Sequence, residues 1–136
     1  MTQQIKSLYA AARVLMSIVF IVAGVRKALA YAGTVTYFTG VGLPMPEIIT
    51  PLVIALEIGG GLALALGFRT RAVAVVLALF TLASAFIGHR FWSVDPAQFG
   101  NQLNNFLKNL SMVGGFLLII AFEKLRLRTD QRSSSL

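Results

Sequence analysis

The sequence contains no cysteine and a single histidine, His89. Without thiols the chain has no disulfide, no iron–sulfur ligation, no thiol redox chemistry and no cysteine-based zinc site. One histidine excludes bis-histidine haem ligation by a single chain. No haem, metal or iron–sulfur cluster is therefore expected here, and any electron carrier is organic or belongs to a partner. Acidic residues are also scarce: 5 Asp and Glu stand against 12 Lys and Arg, a formal net charge of +7. Charged residues make up only 12% of the 136, while 57% are hydrophobic. Soluble domains carry about 25% charged and about 45–50% apolar residues. The polar surface is too small to cover a water-soluble globule, and disordered chains are poorer in hydrophobics than this. A mean hydropathy of +0.78 points to a small integral membrane protein, one domain long. In a soluble protein a pI near 10.6 would suggest nucleic acid. Here the cations lie mostly between apolar runs, so the expected partner is the lipid bilayer and not nucleic acid.

A helix needs about 20 mostly apolar residues to cross the hydrocarbon. Four segments approach this, at about 9–29, 48–68, 72–88 and 103–122. The expected fold is all-α, a polytopic four-helix transmembrane bundle over residues 1–128 with a polar, frayed tail over 129–136. Lys6, Arg13, Arg69, Arg71, Lys124, Arg126, Arg128 and Arg132 fall on one side of this arrangement. Arg26, Lys27, Arg90 and Lys108 fall on the other. The richer side is expected to be cytoplasmic, with both termini and a tight turn at Gly67–Arg71 on it. Ala28-Leu29-Ala30 looks like a signal-peptide cleavage site, but Arg26 and Lys27 directly before it favour a retained span. In the outer loops, Thr34 to Phe38 suits a short helix or strand. Asp95-Pro96 reads as an N-cap and N1 pair, opening a short helix that breaks at Gly100. Tyr31, Tyr37, Phe91 and Trp92 suit an aromatic belt.

Polar groups inside spans are costly, at about 2.5–3.5 kcal/mol for a charge at a helix centre. Glu57 lies roughly 14 Å into its span at 1.5 Å per residue, near the midplane. It cannot reach either interface and must face the bundle interior, neutral or paired. Ala55, Gly59, Ala63 and Gly67 recur every fourth residue and form a small-residue ridge for helix packing. Glu57 lies roughly 140° from the middle of that ridge, so it is expected to look into a cavity lined by Gly60 and Gly61. On the first span Arg13, Ser17, Phe20, Gly24, Lys27 and Tyr31 share one face. On the fourth, Asn101, Asn104, Lys108, Ser111 and Gly115 do the same. Lys108 lies about 8 Å deep, leaving a vertical gap of about 6 Å to Glu57. The expected pair is therefore Glu57 with Lys108. Lys27, only about 3 Å deep by the same count, would have to bend inward. Snorkelling to the interface is the competing reading for Lys27, Lys108 and Arg13. His89, with its near-neutral unperturbed pKa, suits proton exchange at the outer mouth; a solvated or hydrogen-bonded interface residue is the plainer reading.

No nucleophile elbow, phosphate loop, dinucleotide fingerprint or zinc motif occurs. Several short runs, in order, resemble the DoxX family: Gly24-Val25-Arg26-Lys27, Gly42-Leu43-Pro44, Glu57-Ile58-Gly59-Gly60-Gly61 and Gly67-Phe68-Arg69-Thr70-Arg71. Gly88-His89-Arg90-Phe91-Trp92 and Asn105-Phe106-Leu107-Lys108-Asn109 complete the pattern. The resemblance spans about residues 13–122. It implies a four-helix protein of the bacterial plasma membrane, in a family named for a subunit of a quinone-linked membrane complex.

Three functions are compatible with these residues. The first is a quinone-reactive subunit of a membrane oxidoreductase assembly. Glu57, Lys108 and His89 would move protons, and Lys27, Asn105, Ser111 and Gly61 would hold the quinone. Its expected partners are membrane, periplasmic or cytoplasmic redox proteins, and a second copy of the chain. The second is a non-catalytic membrane adaptor or assembly factor. The third, a small-solute transporter, ranks last because no discontinuous helix or inverted repeat is visible.

Overall fold

The computed structural model describes residues 2–133, less the side chains of 130, 132 and 133. Its elements in chain order are α1 (Gln3–Leu29), α2 (Tyr31–Gly40), α3 (Pro46–Leu66), α4 (Thr70–Gly88), a 3-10 turn (Phe91–Ser93) and α5 (Pro96–Ser133). No strand occurs among the described residues. α1, α3, α4 and α5 are long and apolar enough to cross a membrane. The segment at 34–38 resolves as the helix α2. The expected break at Gly100 is absent. One glycine costs a helix only about 1 kcal/mol, and α5 runs unbroken on both sides of it. The same helix carries the expected tail through Ser133; residues 134–136 of that tail lie outside the described residues. The chain forms two compact units, one ending at Phe68 and the other beginning at Arg69.

In the first unit α1 packs along α3, and α2 packs on α3 beyond the end of α1. The seam is made by small residues. A Cβ on Gly24 would stand 2.7 Å from Ile58 Cγ1 and 3.2 Å from the Ile58 nitrogen. A Cβ on Gly61 would stand 2.7 Å from Ile21 Cγ1 and 3.2 Å from the Ser17 carbonyl oxygen. Such approaches are what glycine permits between membrane helices. The contacts put residue numbers that rise on α1 against numbers that fall on α3, so the two helices are antiparallel. The buried face of α3 carries Thr50, Glu57, Gly61 and Leu64. This corrects the expected ridge, because Ala55 and Gly59 are exposed and a Cβ on Gly59 would meet nothing within 4 Å. Gly59-Gly60-Gly61 offers a small residue on every side of the helix. The glycines therefore do not choose the packing face; the carboxylate one turn before Gly61 does.

α1 and α2 are separated by one residue, Ala30, at φ −109° and ψ 43°. The Thr34 hydroxyl reaches back across the break to the carbonyls of Ala30 (3.0 Å) and Lys27 (3.3 Å). Polar backbone freed at a helix break must be satisfied inside a membrane protein, and Thr34 does part of this. No proline or glycine at Ala30 marks this discontinuity in the sequence.

A second backbone defect is answered similarly. Pro51 sits inside α3 and has no N–H to donate, which frees the carbonyl four residues earlier, that of Glu47. The Tyr31 hydroxyl donates to that carbonyl at 3.3 Å, pinning the start of α2 to α3. Tyr31→Phe is expected to cost about 0.5–1.5 kcal/mol in thermal unfolding. In a Pro51→Ala background, where the backbone donor is restored, the same change should be nearly silent. Equal effects in both backgrounds would disprove the pairing.

α3 ends at Gly67, at φ +78°, with the Phe68 N–H on the Ala63 carbonyl at 2.9 Å. The Arg13 guanidinium lies against Gly67, where a Cβ would collide with it. This places a cation at the negative end of the α3 dipole. Arg13 also lies over the Tyr9 ring, 5.2 Å from its centroid.

In the second unit α4 packs on α5, and the 3-10 turn packs on α5. Ala74, Leu77, Ala78, Thr81 and Ala85 form the buried face of α4. Phe116 and Ile119 are buried on α5. Phe86, Phe91, Trp92, Phe99 and Phe106 form a cluster of tilted and edge-to-face rings with centroids 5.0–6.3 Å apart. Phe91 and Trp92, expected as belt residues, are thus also members of a packed aromatic group. Asp95 precedes Pro96 at the start of α5, and its carbonyl accepts from the Gln98 N–H at 2.8 Å.

Candidate functional site

Glu57 is buried, with its residue only 4% exposed. Its partner in the structure is Lys27 and not the expected Lys108. Lys27 Nζ donates to Glu57 Oε1 at 2.8 Å and to Oε2 at 2.9 Å. The ammonium therefore bridges both carboxylate oxygens, a charge-assisted arrangement roughly twice as strong as a neutral hydrogen bond. Register explains the change of partner. Gly24 lies against Glu57 and Ile58, so Lys27, one turn later on the same face of α1, stands just beyond the carboxylate and turns back to it. Glu57 thus sits within the packed α1–α3 seam. Gly61, expected to line a cavity, is instead a close-approach residue of that seam.

The remaining expected site residues lie in the second unit. His89 caps α4, and its Nδ1 is 3.0 Å from Gln102 Oε1 of α5. An amide oxygen only accepts, so Nδ1 is the donor of this contact. Asn105 is half-buried and Lys108 is exposed, both on α5. Ser111 is exposed, and its hydroxyl is bonded to the Leu107 carbonyl of its own helix at 3.1 Å. Asn109, quoted above only as part of a motif, donates from Nδ2 to the Thr81 carbonyl at 3.5 Å, across α4 and α5.

Thr34, Thr50 and Glu123 are polar residues of the core for which the sequence alone suggested no such role. Thr34 spans the helix break. Thr50 is fully buried, and its hydroxyl has no hydrogen-bond partner. It lies seven residues before Glu57 on the same helix face, a spacing that could have flagged it. Glu123 is 3% exposed and is paired with Arg126 Nη2 at 3.1 Å. It escaped notice because it adjoins the basic end of α5, where a carboxylate reads as a surface residue. Among the described residues no group of three or more His, Asp or Glu side chains gathers to hold a metal ion.

Four membrane-spanning helices and a Lys–Glu pair buried at a glycine-lined seam define a small polytopic membrane protein with a polar element inside its hydrophobic core. The chain belongs to the DoxX family, whose signature matches residues 8–90. It is 36% identical over 108 residues to the inner membrane protein YphA of Escherichia coli K12, covering 79% of this chain and 77% of that one. It is 46% identical over 110 residues to the inner membrane protein YqjF of the same organism, covering 79% and 78%. A Bacillus subtilis protein named "Putative oxidoreductase CatD" is 37% identical over 75 residues, covering 55% of this chain and 54% of its own. No significant match is found among solved structures. The protein is accordingly a multi-pass protein of the bacterial plasma membrane.

Proposed function

We propose that this protein is the membrane-embedded subunit of an oxidoreductase assembly, and that the Lys27–Glu57 pair is the polar end of a site for a quinone. The bridged ion pair buried in the seam carries the reading. Burying the Glu57 carboxylate behind a half-buried lysine is expensive, and well-packed apolar residues of the same volume are often as stable or more so. Retention of such a pair in the first unit is explained most simply by chemistry.

The residues present fit a carbonyl-bearing ring. An ammonium has three donors, and Glu57 occupies two at most, so one Lys27 N–H is free for a quinone oxygen. Lys27 is 27% exposed while Glu57 is 5% exposed, so the pair is approachable from the lysine side. The redox chemistry belongs to the quinone itself, whose reduction to quinol consumes two electrons, drawn from a partner protein's redox centre, and two protons. Lys27 would orient the oxygen, and Glu57 would pass protons to it. His89, with Nδ1 held by Gln102, is assigned proton exchange at the outer side. Lys108, Asn105 and Ser111 are further polar groups of the second unit. The distribution of cations supports an orientation with both termini in the cytoplasm. The Bacillus subtilis relative's name lends modest support to an oxidoreductase role.

Purification in mild detergent, solvent extraction and mass analysis should recover quinone from the wild type. Added quinone should raise its unfolding temperature. Absence of both effects would sink the proposal. Glu57→Gln keeps the shape of the side chain while removing its charge. It should abolish activity of the assembly in a folded protein. Unchanged growth phenotype and partner co-purification would favour the adaptor reading instead.

A further inference from the structure

Most helical hydroxyls of this protein are satisfied locally. Ser7, Thr36, Thr39, Ser111 and Thr129 each donate to the carbonyl four residues earlier, at 2.9–3.1 Å. This is the usual way for Ser and Thr to live inside a helix. Thr81 and Thr50 depart from it, and of the two Thr50 stands in the unit that holds the ion pair. Thr50 is 0% exposed, and its Oγ1 has no partner. A buried hydroxyl left unpaired is costly, and such a group in a native protein calls for an explanation.

Its position supplies one. At 100° per residue, Thr50, Glu57, Gly61 and Leu64 fall within an arc of about 60° on α3. Thr50 is therefore on the face that meets α1, about 10 Å along the axis from Glu57. Facing positions on α1 and α3 follow one antiparallel register: Arg13 meets Gly67, Ser17 and Ile21 meet Gly61, and Gly24 meets Glu57. The Tyr31 hydroxyl on the Glu47 carbonyl continues it. That register sets Thr50 opposite the break at Ala30, one turn past Lys27. On the other side of the ion pair the seam is tight, because even a Cβ at Gly61 would crowd the Ser17 carbonyl and the Ile21 nitrogen. A ligand head seated at the ion pair would therefore lie toward Thr50.

We propose that Thr50 is a ligand-contacting residue of the Lys27–Glu57 site. That site takes a molecule with an apolar body and an uncharged head bearing at least two hydrogen-bonding oxygens. One oxygen accepts from the free N–H of Lys27 and the other meets the Thr50 hydroxyl. The ion pair sums to zero charge, so the head is neutral. The flanking α3 residues Val53 and Ile54 are apolar and half-buried, as a ring or chain requires. This inference rests on reading the ion pair as a binding site, and it adds the second contact that fixes the head's orientation.

Thr50→Val removes the hydroxyl at nearly constant shape, and the proposal predicts effects of opposite sign. In protein stripped by detergent exchange, Thr50→Val should raise the unfolding temperature by a few degrees, because the orphan hydroxyl is gone. With a short-tailed benzoquinone as probe, its apparent affinity should fall about tenfold. Thr36→Val, exposed and back-bonded, should weaken no binding. If wild type and Thr50→Val bind the probe equally, the Thr50 contact is wrong while the quinone reading stands. If the wild type binds no benzoquinone, the quinone reading fails. The Thr50 contact is then judged by mass analysis of co-purified small molecules. A molecule retained by wild type and lost from Thr50→Val upholds it; identical extracts overturn it. A lower unfolding temperature for stripped Thr50→Val overturns it in every case.

Discussion

Lys27→Met is expected to be the most damaging single substitution in the first unit, lowering stability by about 3–5 kcal/mol in thermal unfolding in detergent. The change strands the Glu57 carboxylate, whose side chain is only 5% exposed. No water can reach it easily, and the partner that bridged both oxygens is gone. The reverse change, Glu57→Gln, should be milder. Lys27 is 27% exposed and lies near the end of α1, so its ammonium can turn toward the interface. The double substitution Lys27→Met with Glu57→Leu should recover most of the stability, since neither charge then remains to be desolvated. Wild-type unfolding of Lys27→Met would mean that the pair does not hold the seam. Full recovery of stability in the double variant together with lost activity would separate the pair's chemical role from its structural one.

Alanine substitution should distinguish glycines of the same helix by sign. Gly61→Ala is expected to cost about 1–3 kcal/mol, because the added Cβ meets Ile21 Cγ1 and the Ser17 carbonyl on a facing helix. The carbonyl and the Ile21 backbone cannot rotate away, so the helices must part, and the Lys27–Glu57 bridge one turn away must lengthen with them. Gly24→Ala should behave likewise through Ile58 and Glu57. Gly59→Ala, two residues from Gly61, meets nothing within 4 Å. It should stabilise the protein by up to about 1 kcal/mol through helix propensity alone. Unfolding temperatures of the three variants decide this. The same sign at Gly59 and Gly61 would contradict the packing face described above.

The pairing of Glu57 shows where sequence arithmetic stops. Depth along a single span presumes that the span ends lie in one plane. That presumption fails here: α1 ends at Leu29, as expected, but short of the start of α3, whose first turns are covered by α2. Relative to α3, Lys27 is therefore deeper than its place in α1 implies. The face shared by Arg13, Ser17, Phe20, Gly24 and Lys27 was legible, because it follows from helical periodicity. The matching face on α3 is not legible in the same way, because three consecutive glycines allow close packing on any side.

The sequence by itself determined that this protein lives in a membrane, that it crosses in four helices, and that Glu57 must find a partner within the core. These follow from local properties: the length of an apolar run fixes a span, and the cost of burying a charge fixes its need. Only the tertiary structure decided that the partner is Lys27, that Gly61 closes the seam, and that Thr50 is left with an unused hydroxyl. Each of these depends on the register of one helix against another. Register is set by the sum of many contacts along the seam and by a single-residue break at Ala30, neither of which any one segment of sequence contains.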